Sequence, residues 1–339
     1  MLSRKEPAMR RIVTVLATLA LVACGTNTAN PGGTQPSTST TMSAATSTSI
    51  PTSTTSSIAT TTTAEPGTTS TSVAPITTTS PASPTTSTRP AGKMVVAPYF
   101  YIDEAGRAER TGPFVAPVAR EVDRTVAVAR ASMEQLLAGP STGEREGVPA
   151  ISTAIPSGVR LLGLTITGEV ATVDLSAEFD AIDDSATVAQ RAAQVVFTLS
   201  RFESVAEVLF HQEGKPVSIQ IGDGSLVSRP VGIWDYLEFA AAISVESPLY
   251  GGPAGDPLRV TGFGAVFEAT FQYVLTDADG LIIEEGIAMT NNGTGWGGFD
   301  FTIDYDVDRR QTGALIVWAD SAKDGARIDI REYPVVLTP

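Results

Sequence analysis

Residues 159–202 decide the fold, and they read VRLLGLTITGEVATVDLSAEFDAIDDSATVAQRAAQVVFTLSRF. Two runs rich in β-branched and apolar residues, 159–167 and 170–175, stand on either side of Gly168-Glu169. Two such runs joined by a short turn containing glycine predict a β-hairpin.

A helix is predicted directly after this hairpin. Residues 183–185, Asp-Asp-Ser, favour a helix start, and the apolar pattern continues to about Arg201. The spacings alternate between four and three residues, which predicts one buried face formed by Val188, Ala192, Val195, Leu199 and Phe202.

The residues before the hairpin add two more strands and another helix. An edge strand is expected over 95–101, where Pro98 interrupts it, and a second strand over 114–122. Asp123 is the expected N-cap of a helix over 124–138, which ends at Gly139-Pro140. The apolar face of that helix would contain Val126, Ala129, Met133 and Leu136.

A loop is expected over 140–157, and the runs 205–210 and 216–221 predict a last hairpin around Glu213-Gly214. The element order ββ-α-ββ-α-ββ predicts an α+β domain over residues 94–223.

The pattern changes to strands alone over residues 242–339. The predicted strands are 243–246, 258–263, 267–276, 281–289, 298–305, 314–319 and 328–337. Seven short strands in about 100 residues predict an all-β immunoglobulin-like sandwich, without the Cys–Trp–Cys core of true immunoglobulins. The connector 224–241 contains Trp234, Tyr236, Leu237 and Phe239, which are expected to be buried between the two domains.

Five motifs in the α+β domain resemble the GerMN domain, a family named for sporulation and spore germination. They are LLAGP (136–140), AIPSG (154–158), LLG (161–163), VDLSAEF (173–179) and AQVVFTL (193–199). The resemblance implies a module of cell-envelope lipoproteins that is related in shape to ring-building domains of secretion and sporulation assemblies. The family has no established catalytic residues, so it assigns none here.

The C-terminal domain resembles the immunoglobulin-like domain of bacterial spore-germination proteins. The motifs are VTG (260–262), VFEA (266–269), DG (279–280), WGGF (296–299) and SAKDG (321–325). The resemblance implies that this domain follows a GerMN domain, which is the order found here.

The N-terminus has the features of a secretion signal. Residues 1–23 contain a basic start and an apolar run that is too short to span a bilayer. Residues 21–24, LVAC, look like a bacterial lipobox, which implies cleavage before Cys24 and lipid attachment to it. The alternative is an ordinary signal peptide. Residues 24–93 are dominated by Ser, Thr and Pro and are predicted to be a disordered stalk.

Charge and composition exclude several classes of function. The net charge is −14, which argues against nucleic acid as a partner because phosphate binding requires a basic surface. One cysteine and one histidine exclude a disulfide framework, a zinc cluster and a histidine cage for a metal. The sequence therefore predicts no metal and no cofactor.

Three groups of residues have side chains suited to catalysis or metal binding, but their sequence context predicts structural roles. His211 lacks the G-x-S-x-G motif of a hydrolase nucleophile, and Asp174 and Glu178 are expected to hold a turn rather than act as paired acid and base. Asp304, Asp306 and Asp308 alternate along a predicted strand and would share a face.

An EF-hand loop beginning at Asp304 is excluded by the residues in its key positions. Arg309 stands where the loop requires glycine, and Leu315 stands where it requires glutamate. The three aspartates are therefore expected to form a solvated strand face.

Trp296 is the best candidate for a contact with a partner, because the glycine-rich loop 291–298 presents it. Even so, the sequence favours packing of Trp296 at the end of the sandwich. The sequence thus predicts a non-enzymatic protein outside the cytoplasm that is anchored through Cys24 and contacts an envelope protein. A wall-glycan or small-ligand module is the second hypothesis, and an envelope hydrolase is the third.

Overall fold

The computed structural model describes residues 92–103, 114–147, 149–180 and 185–339. The predicted signal peptide, the predicted lipid-attachment residue Cys24 and the stalk up to residue 91 lie outside the described residues. Lys93, predicted as the last residue of the stalk, is the first residue of a strand.

The N-terminal part of the described chain alternates short strands with three α-helices. Its strands are β1 (Lys93–Val96), β2 (Tyr99–Asp103), β3 (Phe114–Pro117), β4 (Arg120–Asp123), β5 (Ala150–Ser152), β6 (Leu161–Thr167), β7 (Val170–Leu175), β8 (Glu207–Gln212), β9 (Lys215–Pro216), β10 (Ile219–Gln220) and β11 (Leu226–Val227). Its α-helices are α1 (Val128–Ala138), α2 (Thr142–Arg145) and α3 (Ser185–Ser200), and short 3-10 helices span Ala177–Asp180, Ile233–Asp235 and Leu237–Phe239.

These strands form small sheets around α3. The largest has the order β6-β7-β8-β9, and a second sheet has the order β3-β2-β5. β6 and β7 pair antiparallel, as the hairpin prediction required, whereas β7 and β8 pair parallel. A parallel pair requires a crossover connection, and α3 provides it.

Helix α3 is buried on every side over residues 191–199, not only along the predicted face. Three polar side chains in this span are satisfied by hydrogen bonds. Gln194 donates to the carbonyl of Tyr99 (2.9 Å), and Thr198 accepts the N–H of Tyr99 (3.0 Å). Arg191 donates to the carbonyl of Phe179 (2.9 Å). Buried polar groups are tolerated when they are bonded in this way. The bonds of Gln194 and Thr198 fix β2 against the helix.

The C-terminal part is a sandwich of two sheets. Its strands are β12 (Ile243–Ser247), β13 (Gly252–Pro253), β14 (Leu258–Gly264), β15 (Thr270–Thr276), β16 (Ile282–Met289), β17 (Gly297–Ile303), β18 (Gln311–Asp320) and β19 (Arg327–Leu337). One sheet has the order β12-β14-β17 and the other the order β13-β19-β18-β15-β16. The predicted fold class, an α+β domain followed by an immunoglobulin-like sandwich, is therefore confirmed.

The turn between β15 and β16 forms as its sequence predicts. Gly280 adopts a positive φ of 75°, and its N–H donates to the carbonyl of Asp277 (3.1 Å). The carboxylate of Asp277 accepts the N–H groups of Asp279 and Leu281, each at 2.9 Å. An aspartate that bonds its own following backbone in this way stabilises a tight turn.

The prediction for α1 was wrong at its N-terminus. Asp123 is the last residue of β4, where it pairs with Lys93 of β1 through the backbone and an ion pair of 3.1 Å. The helix begins at Val128, and Ala127 is its N-cap without a side-chain bond. Val126 is consequently 90 % exposed, while Met133 and Leu136 are buried as predicted.

Three further boundaries differ from the sequence prediction. The expected strand over 95–101 is split at Ala97-Pro98 into β1 and β2, and the stretch 114–122 is split into β3 and β4. The expected loop over 140–157 contains α2 and β5. A Ser141–Glu144 capping box, in which each residue bonds the backbone of the other, explains why α2 forms.

Candidate functional site

Buried side chains from both parts of the chain meet in one continuous core. Phe197 of α3 lies at its centre and stacks on Tyr99 of β2, with ring centroids 5.4 Å apart. On the other side, Phe197 stacks on Phe263 of β14 at 6.4 Å, and Phe263 contacts Trp296 at 5.6 Å. Aromatic pairs at these distances add to the stability that burial of their area provides.

Polar contacts reinforce the same boundary. The hydroxyl of Tyr99 donates to the carboxylate of Glu246 (3.1 Å), and Arg201 donates to the carbonyl of Glu246 (3.0 Å). Burial raises the pKa of Tyr99 far above its usual value, and the charge of Glu246 raises it further. The phenol therefore stays protonated and continues to donate.

The backbone crosses the same boundary. Tyr250 donates its N–H to the carbonyl of Pro117 (2.9 Å), and Ala119 donates to the carbonyl of Tyr250 (3.1 Å). Ala240 forms a parallel bridge with Val115 of β3, and this bridge attaches the end of the connector to the α+β part. We call this set of aromatic, polar and backbone contacts the seam.

Trp296 belongs to the seam, although the sequence proposed it for a contact with a partner. Its side chain is half-buried against Phe263 and the core, and its carbonyl accepts a hydrogen bond from Asn292 (3.1 Å). Packing explains its position, in agreement with the interpretation that the sequence favours.

The connector places its aromatic residues differently from the prediction. Tyr236 is fully buried and donates its hydroxyl to the carbonyl of Gln220 (3.0 Å), and Phe239 packs edge-on against Tyr101 at 6.3 Å. Trp234 is 69 % exposed, so the expectation of a buried Trp234 was wrong. The connector packs on the α+β part, and the sandwich contributes Phe263 and Glu246 to the boundary instead.

Trp234 is exposed on a turn that is held in place. The carboxylate of Asp235 binds the guanidinium of Arg229 through both oxygens (2.6 and 3.1 Å) and accepts the N–H of Gly232 (3.0 Å). The hydrogen bond from Arg229 holds the pKa of Asp235 below its usual range. Leu226, which is also exposed, lies in the β10–β11 hairpin, and Gly222 of that segment donates to the carbonyl of Asp235 (3.0 Å).

His211 lies beside Asp174 in the parallel register of β7 and β8. Both carboxylate oxygens of Asp174 accept the N–H of Gly214, at 3.0 and 3.1 Å. Asp174 therefore holds the turn after β8, as the sequence analysis expected.

Glu178 is fully exposed, and a hydrogen bond from the hydroxyl of Ser176 lowers the pKa of its carboxyl. A general acid of a glycosidase requires the opposite shift. Glu178 therefore lacks the raised pKa that a general acid needs.

Asp304, Asp306 and Asp308 lie after β17, which ends at Ile303, so they are not on a strand as predicted. Their side chains are exposed, while Val307 between two of them is buried. Within the described ranges, His, Cys, Asp and Glu side chains form no group of three that could hold a metal ion.

The largest exposed apolar side chains of the sandwich lie on or beside β16, a feature that the sequence analysis did not identify. Ile287 is 69 % exposed, Met289 63 % and Phe267 64 %. A shallow groove lined by Met289, Thr290, Asn291, Gly298, Phe299 and Asp300 continues from the end of this strand. The sequence does contain apolar residues at the alternate positions 287 and 289. It does not show where their strand lies in the sheet, and so it does not show that they are exposed.

Family models match both parts of the chain. Residues 98–218 match the model Germane, described as sporulation and spore germination. Residues 242–326 match the model Gmad2, described as the immunoglobulin-like domain of bacterial spore germination. The chain combines a Germane domain with a Gmad2 domain. No curated protein matches it.

Solved structures show weaker similarity. A Clostridium perfringens protein classed as a lipoprotein is 19 % identical, with a TM-score of 0.29 over 44 % of this chain and 93 % of that one. The first GerMN domain of the sporulation protein GerM from Bacillus subtilis is 17 % identical, with a TM-score of 0.33 over 41 % of this chain and 97 % of that one. The tandem GerMN domains of the same protein are 12 % identical, with a TM-score of 0.35 over 72 % of this chain and 61 % of that one. The assignment of the two domains therefore rests on the family models.

The helices of the described residues can be compared with what a membrane-spanning helix requires. Among the helices of residues 92–339 that the structure describes, none has both the length and the apolar composition needed to cross a bilayer.

Proposed function

We propose that this chain is a non-enzymatic protein of the cell envelope that binds other proteins through surfaces held on one two-domain body. The observation that carries the proposal is Trp234, whose indole is 69 % exposed on a turn fixed by Arg229 and Asp235. An exposed tryptophan in a preorganised position is the residue type that most often dominates the energy of a protein interface. The family descriptions of the Germane and Gmad2 domains, sporulation and germination, are consistent with this role.

Photo-cross-linking in cells tests the proposal. A benzoylphenylalanine placed at residue 234 is expected to give a discrete adduct with another protein. Val126 of the same domain is 90 % exposed and provides the matched control, which should give no such adduct. Absence of an adduct at residue 234, or the same adducts from both positions, would contradict protein binding through this surface.

Anchoring through Cys24 is part of the proposal. The LVAC sequence at residues 21–24 supports it, since two or three acyl chains at about 0.8 kcal/mol per buried CH₂ hold a protein stably on a membrane. A Cys24→Ala variant should be either uncleaved or released. A variant of mature length that still fractionates with membranes would contradict anchoring at this residue.

The absence of catalysis is also proposed. Asp174 supports it, because its carboxylate holds the turn at Gly214. His211→Gln is expected to leave cellular function intact, and the purified chain should not hydrolyse peptidoglycan, esters or peptides. Turnover that disappears in the His211→Gln variant would overturn the proposal.

Binding of a wall glycan is the second candidate, and the exposed indole of Trp234 favours it, because a flat aromatic face also packs on a sugar ring. Co-sedimentation with purified peptidoglycan separates the two candidates. Sedimentation that is lost in Trp234→Ala, together with no protein adduct at residue 234, would favour the glycan.

A further inference from the structure

Strand β16 leaves one edge of the five-stranded sheet open up to Met289, after which Asn291 donates its N–H to the carbonyl of Gly298 in β17 (2.9 Å). The order β13-β19-β18-β15-β16 places β16 last, with β15 as its only partner in that sheet among the described strands. An edge strand presents backbone N–H and C=O groups that another strand can bond.

The direction of those backbone groups follows from one hydrogen bond. Thr290 donates its N–H toward β15, to the carbonyl of Ala269 (2.8 Å). Because these groups alternate along an antiparallel strand, Glu285, Ile287 and Met289 direct theirs away from β15. The register is regular from Glu284 to Met289, so the alternation holds over this span.

The open edge carries apolar side chains that its own sheet does not cover. Ile287 and Met289 share one face of the strand, and Phe267 lies in the turn before β15. That turn is fixed, because Ala269 donates to the carbonyl of Val266 and Thr270 bonds the carbonyl of Glu268. Large exposed apolar residues grouped on an edge are typical of an interaction surface.

The same edge is acidic at its other end. Glu284 and Glu285 are exposed, and no ion pair joins either of them to a residue in the described part of the chain. The whole chain has a net charge of −14. A partner with positive charge opposite these glutamates would be both attracted and correctly oriented.

We propose that β16 binds an extended, basic segment of a protein partner, which adds to the sheet as an antiparallel strand. This inference rests on the proposed function and names the partner's chemistry at a second surface. The apolar residues of the segment lie opposite Met289 and Ile287, and its Lys or Arg residues lie opposite Glu285 and Glu284. Read from its N-terminus, the segment has the pattern apolar-x-apolar-x-basic-basic.

A second copy of this chain fits the edge less well. An antiparallel pair of two β16 strands centred on Ile287 would place Glu285 of one copy opposite Met289 of the other, so neither glutamate would meet a positive charge. The two bodies would also approach with the same negative net charge, which is unfavourable. A basic segment supplies the opposite charge.

The test uses the full-length chain in detergent solution and the labelled peptide SVTVTKKS, with SVTVTEES as the charge-reversed control. Fluorescence anisotropy measures affinity, and hydrogen exchange followed by mass spectrometry locates the bound peptide. SVTVTKKS should bind and slow amide exchange over β16, whereas SVTVTEES should bind at least about tenfold more weakly.

Variants of Ile287 separate the two contributions. Ile287→Ser should weaken binding of SVTVTKKS by about tenfold, since it removes the apolar contact. Ile287→Pro also removes the outward N–H and should weaken binding further. Val126→Ser changes another exposed apolar residue, on the other domain, and should have no effect. Unchanged melting temperatures show that the variants are folded, and Ile287→Ser remains informative if the proline variant is not.

The proposal is overturned if SVTVTKKS does not bind, if it protects another segment, or if binding is unaffected by Ile287→Ser. A dimer of the chain alone that dissociates on Ile287→Ser would identify a second copy as the occupant and would also overturn it. If one of these results is obtained but a cross-linked adduct still forms at residue 234, the proposed function is retained and only the binding of a basic strand at β16 is rejected.

Discussion

Two tryptophans of this chain lie in opposite environments. Trp296 lies in a glycine-rich loop, yet it packs on Phe263 and takes part in the seam. Trp234 lies in an apolar connector, yet its side chain is largely exposed. Local composition predicts whether a segment can be buried, whereas the neighbours that cover a side chain come from distant parts of the chain. Substitutions in the seam around Trp296 are therefore expected to affect stability, whereas substitution of Trp234 is expected to affect binding.

The largest effect on stability is expected at the centre of the seam. Phe197→Ala removes the ring that stacks on both Tyr99 and Phe263 and should lower the free energy of unfolding by about 3–5 kcal/mol. Chemical denaturation monitored by circular dichroism measures it. A loss below about 1 kcal/mol would mean that the ring is not part of a shared core.

Trp296→Ala should have an intermediate effect. The indole is half-buried at the outer end of the aromatic series, so its loss should cost about 1–3 kcal/mol. The same denaturation experiment applies, and Trp296→Phe should recover part of the loss. If Trp296→Ala instead abolishes partner binding without changing stability, the loop would be the contact surface that its sequence first indicated.

The turn below Trp234 should respond to pH through Asp235. The pKa of this carboxyl is lowered by its hydrogen bond with Arg229, so its stabilising effect is present above the unfolded pKa and is lost as the pH falls through the folded value. Asp235→Asn should therefore lower the free energy of unfolding at pH 7. The loss should be smaller than that caused by Trp296→Ala. This loss should begin to shrink as the pH falls through the unfolded pKa of about 3.9, and it should disappear once the carboxyl is protonated in the folded chain as well. A difference that grows on acidification would contradict this sign.

The smallest effect is expected at Trp234 itself. Trp234→Ala should change the free energy of unfolding by less than about 0.5 kcal/mol, because the side chain is mostly in water already. Its effect should be on binding, where it removes an exposed aromatic contact. A loss of stability similar to that of Trp296→Ala would show that Trp234 is covered in solution.

Most of the fold is predictable because its signals are local. The β6–β7 hairpin and the turn at Asp277 follow from glycine and aspartate at the required positions. The start of α1 is not predictable in this way, since Asp123 satisfies the rule for an N-cap but is held in β4 by Lys93. Pairing with a distant strand outweighed a local preference of comparable strength.

The interaction surfaces are harder to predict than the fold. The contact that covers Phe197 of α3 comes from Phe263, which lies more than 60 residues further along the chain. Exposure of Ile287 depends on β16 being last in its sheet, and strand order is not contained in the alternation of a single strand. The contrast between Trp234 and Trp296 has the same cause.

Calorimetry on residues 92–339 tests most directly whether the two domains share one core. The seam predicts a single transition, or two that nearly coincide, and small-angle scattering should show one compact particle. Phe197→Ala should lower the transition temperature of both domains together. Two well-separated transitions would contradict a shared core if Phe197→Ala shifts only the transition of the N-terminal domain.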